Sequence, residues 1–203
     1  MKSLFLTILF LFSFQSLAQT VLFLGDSLTA GYGIKKELSY PYLVGKQINK
    51  ELSKEVKILN GGISGSTSAS AVSRLKWYLR AKPSIILLAL GANDGLRGVK
   101  LEATKNNLEK VIKMARDNGI HVILAGMLMP PNYGKDYVDG FKKIYDDLKT
   151  KYKLDMIPFL LKDVAGIREL NQADGIHPNE KGHQIMANTV KPYLLTALKK
   201  DKK

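Results

Sequence analysis

Two short segments of this chain combine the residue types of a nucleophilic centre. Asp174-Gly175-Ile176-His177-Pro178 places a carboxylate and an imidazole in one loop, and Gly25-Asp26-Ser27-Leu28 supplies a serine. A serine hydroxyl attacks a carbonyl only when a base takes its proton, and that base needs an acid to orient it. The residue types predict a triad of Ser27 as nucleophile, His177 as base and Asp174 as the acid.

The residues beside His177 suit this role. Gly175 tolerates backbone angles that bring the Asp174 carboxylate back to the imidazole Nδ1. Pro178 holds His177 extended and favours a helix start behind it. Taken alone, the motif is equally compatible with an ordinary loop histidine beside a helix cap.

Candidate donors for a developing oxyanion follow two apolar runs. Gly61-Gly62-Ile63-Ser64-Gly65 offers glycines where backbone can approach a substrate closely, and Asn93 stands in Gly91-Ala92-Asn93-Asp94. Oxyanion stabilisation needs backbone N–H groups or side-chain amides that are already aimed. Both segments are also compatible with plain strand-to-helix turns, because Gly and Asn are common turn residues.

The elements that must position these residues are apolar runs alternating with segments of helical period. Nearly continuous apolar runs are typical of buried parallel strands. The predicted strands are Val21–Leu24, Val56–Leu59, Ile85–Leu90, Val122–Ala125 and a short fifth strand near Asp155–Pro158. This pattern predicts an α/β fold with a parallel sheet covered by helices on both faces.

Helical stripes fill the intervals between the strands. Leu108, Val111, Ile112 and Ala115 repeat on one helix face before Gly119, and the last helix is predicted to follow Pro178. In such sheets, sites gather beyond the carboxyl ends of the strands, where the serine, the glycines and the asparagine all fall. We find no repeat or linker, and expect one domain over residues 19–203.

The first eighteen residues have the composition of a secretory signal peptide. Lys2 precedes an apolar run from Leu4 to Phe14, and Ser16-Leu17-Ala18 resembles a cleavage site. The run is shorter than the roughly 20 apolar residues that span a bilayer. We expect cleavage after residue 18 and a periplasmic or secreted protein; a retained anchor is the alternative.

Several classes of chemistry are excluded by composition. The chain has no cysteine, which rules out disulfides, thiol catalysis and cysteine-ligated metals. We find no G-x-S-x-G elbow, P-loop or H-E-x-x-H pair. His121 and His183 are interpreted as ordinary core or surface histidines, so the sequence predicts no metal and no cofactor.

The net charge of +13 favours contact with anionic surfaces such as phospholipid headgroups. Lysines interleaved with acids, as in Lys142, Lys143, Asp146 and Asp147, indicate a solvated surface instead. Nucleic-acid binding would need a basic stripe interleaved with stacking aromatics, which is absent from the sequence. We therefore expect no nucleic-acid partner, a possible peripheral contact with an anionic membrane, and a monomer.

Taken together, four segments resemble the SGNH, or GDSL, hydrolase family in order and spacing. The matching blocks are Gly25-Asp26-Ser27-Leu28, Gly65 in Ile63-Ser64-Gly65, Asn93 in Gly91-x-Asn93-Asp94, and Asp174-x-x-His177. The resemblance implies a flavodoxin-like three-layer α/β/α sandwich around a mostly parallel five-stranded sheet. It also implies an oxyanion hole formed by the Ser27 and Gly65 backbone N–H groups and the Asn93 side chain.

Longer stretches resemble the periplasmic thioesterase, lysophospholipase and arylesterase branch of the family. These stretches are Asn60–Ser68, Gly91–Gly98 and Pro130–Gly134. Ser66 departs from this branch, where an acidic residue is frequent, and Ala92 stands where Gly is frequent. Neither departure touches the triad.

The same resemblance implies that two loops border an acyl chain. The predicted substrate-binding residues are Gly95 and Leu96 in one loop, and Met129 and Pro130 in the other. A rigid turn whose methionine packs into the core is the alternative for Met129.

The sequence thus predicts an exported serine esterase that acts on small acyl esters, thioesters or lysophospholipids through an acyl-enzyme. A carbohydrate O-deacetylase is an alternative within the family. A non-catalytic envelope-binding protein is an alternative from a different class.

Overall fold

A computed structural model of the chain describes residues 19–52 and 55–200. The predicted signal peptide lies outside the described residues. Within them, no helix is long and apolar enough to cross a membrane.

Five parallel strands form the central sheet, and their apolar residues account for the core. Val21–Leu24 and Ile85–Leu88 are fully buried, as strands covered on both faces should be. The strands are β1 (Gln19–Gly25), β2 (Val56–Gly62), β3 (Ile85–Ala89), β4 (His121–Ala125) and β5 (Asp155–Ile157).

The strand order β2-β1-β3-β4-β5 is the doubly wound order of flavodoxin-like proteins. All four strand pairs are parallel. The predicted fold class, a flavodoxin-like three-layer α/β/α sandwich, is confirmed. The fifth strand is short but present, and each predicted strand matches an observed one to within a few residues.

Helices cover both faces of this sheet. The α-helices are α1 (Ser27–Ala30), α2 (Tyr40–Leu52), α3 (Ala71–Tyr78), α4 (Ala92–Leu96), α5 (Leu101–Asp117), α6 (Lys135–Tyr152) and α7 (Glu180–Lys200). Short 3₁₀ turns lie at Lys36–Leu38, Ser68–Ser70, Leu79–Ala81, Pro131–Tyr133 and Arg168–Leu170. Helix α2 packs against α7, and α5 packs against α3 and α6. These two groups of helices lie on opposite faces, as expected for a doubly wound sheet.

In the register of the sheet, the carboxyl ends of β2, β1 and β3 lie side by side. Gly25 at the end of β1 pairs with Gly62 on one side and with Ala89 on the other. Gly62 must lack a side chain, because a Cβ there would lie 2.1 Å from the backbone nitrogen of Ala30 in α1. The absence of a side chain at Gly62 therefore lets the last residue of α1 pack directly against β2.

Candidate active site

The turn after β1 fixes Ser27 at the start of α1. The Asp26 side chain accepts a hydrogen bond from the Leu28 N–H at 3.0 Å, which caps the helix. Gly31 ends the helix with a left-handed backbone. Ser27 is only 9% exposed, so its hydroxyl has little freedom to turn to solvent.

Asp26 itself is buried beneath the nucleophile, with 2% of its surface exposed. Burial raises the pKa of its carboxyl to about 6, while the Leu28 N–H, the Asp26 N–H, His177 and Arg74 act in the opposite direction. Asp26 therefore shapes the turn and titrates unusually high for an aspartate.

The loop before α7 presents His177 to Ser27. His177 Nε2 lies 2.9 Å from Ser27 Oγ, and His177 Nδ1 lies 2.7 Å from Asp174 Oδ2. Gly175 between them has φ +73°, the left-handed conformation that a side chain disfavours. The structure thus brings together all three residues that the sequence predicts as a triad.

Asp174 is held as an anion by its own loop. Its Oδ1 accepts the N–H groups of Ile176 at 3.1 Å and His177 at 3.0 Å. The side-chain hydrogen bond with His177, followed by these backbone bonds, lowers the pKa of Asp174 to about 2. An ionised Asp174 favours the His177 tautomer that leaves Nε2 free to accept the serine proton.

Gln172 joins this loop to the segment behind the nucleophile. Its Nε2 donates to the Tyr32 carbonyl at 2.7 Å and to the Pro178 carbonyl at 3.0 Å. Its backbone N–H donates to the His177 carbonyl at 2.8 Å. The Tyr32 ring also lies over the His177 imidazole, with ring centroids 4.6 Å apart. These contacts connect the loop of Asp174 and His177 to the segment that follows Ser27, in addition to the His177–Ser27 hydrogen bond.

The predicted oxyanion donors surround the same cavity as Ser27. Gly65 and Asn93 line it together with Ser27 and His177. Gly65 has φ +74°. Asn93 is the second residue of α4, which directly follows β3. Their roles as oxyanion donors stay predictions.

Asp94 connects these two donor segments. This buried carboxylate accepts the Ser68 N–H at 2.8 Å and the Ser68 hydroxyl at 2.5 Å. Ser68 follows the Gly65 loop, and Asp94 follows Asn93. The departure at Ser66 leaves the loop closed, since its N–H donates to the Ile63 carbonyl.

Arg74 on α3 binds the ends of two strands. One of its Nη2 contacts is to the Gly25 carbonyl at 2.6 Å, and the other is to the Gly61 carbonyl. Burial lowers the pKa of this guanidinium. Arg74 therefore ties the turn that carries Ser27 to the strand that leads into the Gly65 loop.

A cavity of about 660 Å³ opens beside the serine, within the usual size range of small-ligand sites. Leu96, Met129 and Pro130, which the sequence predicts as substrate-binding, line it. Gly95 does not: it is buried behind Met129, and a Cβ on it would lie 2.3 Å from the Met129 sulfur. Met129 lines the cavity and also packs with the core cluster, and its role in substrate binding stays a prediction.

Sequence reasoning missed the opposite wall. It comes from the connection between β5 and α7 and comprises Phe159, Leu161, Ala165, Gly166 and Ile176. The only sequence signal is the apolar run after Pro158. The wall is fixed to the β4 side by the Leu160 N–H, which donates to the Gly126 carbonyl at 3.0 Å.

The other two histidines lie away from the serine. His183 is buried in α7 and accepts the Tyr40 N–H at Nδ1, and burial lowers its pKa to about 4. His121 contacts Asp155 at the start of β4. In the described part of the chain, no cluster of three histidine or acidic side chains is arranged to hold a metal ion.

Comparison with known proteins identifies the class that this fold and site define. The family of GDSL-like lipases and acylhydrolases matches residues 23–185, and the chain belongs to it. An arylesterase of Vibrio mimicus is 37% identical over 182 residues, covering 89% of this chain and 90% of the relative. Thioesterase 1/protease 1/lysophospholipase L1 of Escherichia coli K12 is 33% identical over 172 residues, covering 84% and 81%.

A solved structure of another esterase also resembles this chain. The psychrotrophic esterase EstA from Pseudoalteromonas sp., in a structure inhibited by monoethylphosphonate, superposes with a TM-score of 0.83. It is 30% identical, and the match covers 89% of this chain and 99% of that one. The chain is an SGNH-type serine hydrolase that acts on ester bonds.

Proposed function

We propose that this enzyme hydrolyses apolar acyl esters and thioesters through an acyl-enzyme on Ser27. One observation carries the proposal: the hydrogen-bonded chain from Asp174 through His177 ends on Ser27 at the wall of a largely apolar cavity. Such a cavity suits an acyl chain better than a sugar, which needs polar partners.

In the proposed first step, His177 Nε2 takes the Ser27 proton as Oγ attacks the carbonyl carbon. The oxyanion accepts hydrogen bonds from the Ser27 and Gly65 N–H groups and the Asn93 amide. The imidazolium then protonates the departing alcohol or thiol, leaving an acyl ester on Ser27. His177 next takes a proton from water as the water attacks the acyl-enzyme. The tetrahedral intermediate then collapses: the bond to Ser27 Oγ breaks, the His177 imidazolium returns its proton to Oγ, and the acid is released.

The names of the relatives support this substrate range. Arylesterase and thioesterase/lysophospholipase activities both release an acyl group from a carboxylic ester or thioester. Inhibition of the EstA relative by a phosphonate is consistent with a serine nucleophile, because a tetrahedral phosphonate resembles the oxyanion intermediate. Export of a mature domain beginning at Gln19, and its monomeric state, stay predictions from the sequence.

The test combines labelling with a substrate series. A fluorophosphonate probe should modify wild-type protein at Ser27 and leave folded Ser27→Ala unlabelled. Para-nitrophenyl esters from acetate to palmitate, an acyl-CoA and a lysophospholipid then define the range. Activity restricted to acetyl groups would instead favour the carbohydrate deacetylase, and no labelling of folded wild type would favour a binding protein.

A further inference from the structure

Large apolar side chains on the surface are concentrated at the mouth of the cavity. Eight such side chains are at least 36% exposed in the described part of the chain. Seven of them form a group that we call the rim: Tyr32, Ile63, Leu96, Leu128, Tyr133, Ile167 and Ile176. The eighth, Trp77, lies on α3 against Arg80.

Contacts and chain position place these residues at the mouth. Tyr32, Leu96, Leu128 and Ile176 line the cavity while remaining 37 to 53% exposed. The Tyr133 hydroxyl donates to the Leu96 carbonyl at 3.2 Å. Ile63 and Ile167 are the chain neighbours of the lining residues Ser64 and Gly166.

The rim is built from separate connections rather than from one helix face. Residues after β1, β2, β3, β4 and β5 all contribute to it. Scattered exposed apolar residues need no explanation, but a contiguous group is typical of a binding surface. Its position around an opening also limits the partner, because a docked protein would close the route that an acyl chain needs.

Cationic side chains accompany the rim. Arg97 follows Leu96, and its Nη2 would lie 3.5 Å from a methyl group placed on Gly65. Arg168 follows Ile167 and is exposed; Asp163 and Glu169 on the same connection offset part of this charge. With a net charge of +13 for the whole chain, long-range attraction favours an anionic surface.

We infer that the rim docks on an anionic phospholipid surface, so that acyl chains enter the cavity directly from the lipid. This inference rests on the proposed function, in which the cavity holds an acyl chain. The rim supplies apolar groups that insert among the lipids, and Arg97 and Arg168 meet the phosphates.

The experiment is co-sedimentation with vesicles, performed in the Ser27→Ala background so that no lipid is hydrolysed. Vesicles of phosphatidylcholine alone are compared with vesicles that also contain phosphatidylglycerol. Ser27→Ala should bind the anionic vesicles. Adding Ile63→Ser and Ile167→Ser, which spare the cavity lining, should weaken binding about tenfold through lost apolar burial.

Two further variants make the test specific. Trp77→Ser removes an apolar side chain that is more exposed than Ile63 or Ile167 but does not belong to the rim, and should leave vesicle binding unchanged. Arg97→Gln should reduce the preference for phosphatidylglycerol. Equal loss in the Trp77 variant, or no binding of Ser27→Ala to either vesicle, overturns the inference. A dimer that dissociates on changing Ile63 and Ile167 also overturns it, since a second copy would then cover the rim.

The proposed function is judged separately. Wild-type protein that cleaves soluble para-nitrophenyl octanoate without binding vesicles overturns the docking inference alone. Folded protein that cleaves no ester overturns the proposed function, whatever its binding to lipid.

Discussion

Asp94 accepts two hydrogen bonds from Ser68, one from its backbone N–H and one from its hydroxyl, and is itself buried. The contact links the residue after Asn93 to the segment that follows the Gly65 loop. The segments that carry the two proposed oxyanion donors, Gly65 and Asn93, are therefore connected by one carboxylate. This makes Asp94 a positioning residue that acts through its neighbours.

Replacing Asp94 by Asn removes one of these acceptors, and we expect kcat to fall by about 10² through a small displacement of the donors. Ser68→Ala is the matched control, because it loses the hydroxyl contact but keeps the N–H contact, and should cost less. Steady-state kinetics and thermal unfolding should be measured together. A loss of stability with unchanged kcat in the folded enzyme would contradict the positioning role.

Ser27→Ala and His177→Ala should each lower kcat by several orders of magnitude without unfolding the protein, because both residues serve one step. Asp174→Asn should cost a similar amount or less. Circular dichroism controls for folding. Near wild-type esterase activity in pure Ser27→Ala protein would disprove the mechanism.

Asn93→Ala should lower kcat by about 10² to 10³ with little change in KM, since the amide acts on charge that develops in the transition state. The matched control is Asn132→Ala, an exposed asparagine beyond β4. If the whole loss instead appeared in KM, Asn93 would be a substrate-binding residue.

Two buried titratable groups should make the free energy of unfolding change with pH in opposite directions. Asp26 has a raised pKa of about 6, so the folded state binds its proton more tightly and stability falls as pH rises through that value. His183 has a lowered pKa of about 4, so its contribution is lost as pH falls from its usual range toward that value. Between about pH 4 and 6 the two effects oppose each other.

We therefore expect Asp26→Asn to give a stability that increases with pH across this window, and His183→Asn to give one that decreases. Each change in the free energy of unfolding should reach about 2 to 3 kcal/mol across the window. Both asparagines can still accept the backbone hydrogen bonds that Asp26 and His183 accept now. Urea unfolding at a series of pH values measures the slopes; parallel slopes in both variants and wild type would contradict the assignment.

Met129→Ala should enlarge the cavity and shift the preferred ester toward longer acyl chains, while acetate ester hydrolysis stays nearly intact. Each methylene held in the cavity contributes up to about 0.8 kcal/mol, so kcat/KM should climb with chain length until the cavity is full. The readout is kcat/KM along the para-nitrophenyl series. Equal proportional losses for acetate and octanoate esters would exclude a role for Met129 in chain length.

The fold could be predicted from the sequence because its strands have a clear apolar pattern. Continuous apolar runs such as Ile85–Leu90 are typical of buried parallel strands, and the resemblance to the family implies the flavodoxin-like sandwich. The same holds for the proximity of Ser27, Asp174 and His177, which short motifs mark.

The hydrogen bonds that support the site have no comparable pattern in the sequence. Gln172 contacts Tyr32 across 140 positions, and Asp94 contacts Ser68 across 26. A polar loop residue has no periodicity that indicates its partner, so only the three-dimensional structure reveals these links. The position of Gly95 could not be predicted either. The family resemblance implies that its loop borders the acyl chain, but the side chain of Met129 lies between Gly95 and the cavity.

The Asp174–Gly175–Ile176–His177 loop makes its acid–base pair from residues three positions apart, whereas His177 and Ser27 are 150 positions apart. Forming the first contact closes almost no chain, but the second requires both ends of the domain to have met. Recovery of catalysis during refolding therefore reports the joining of the terminal segments rather than the formation of the sheet. A nascent chain that ends before Asp174 would carry Ser27 but neither its proposed base nor its proposed acid, so we expect no esterase activity until the last segment of the domain has been added.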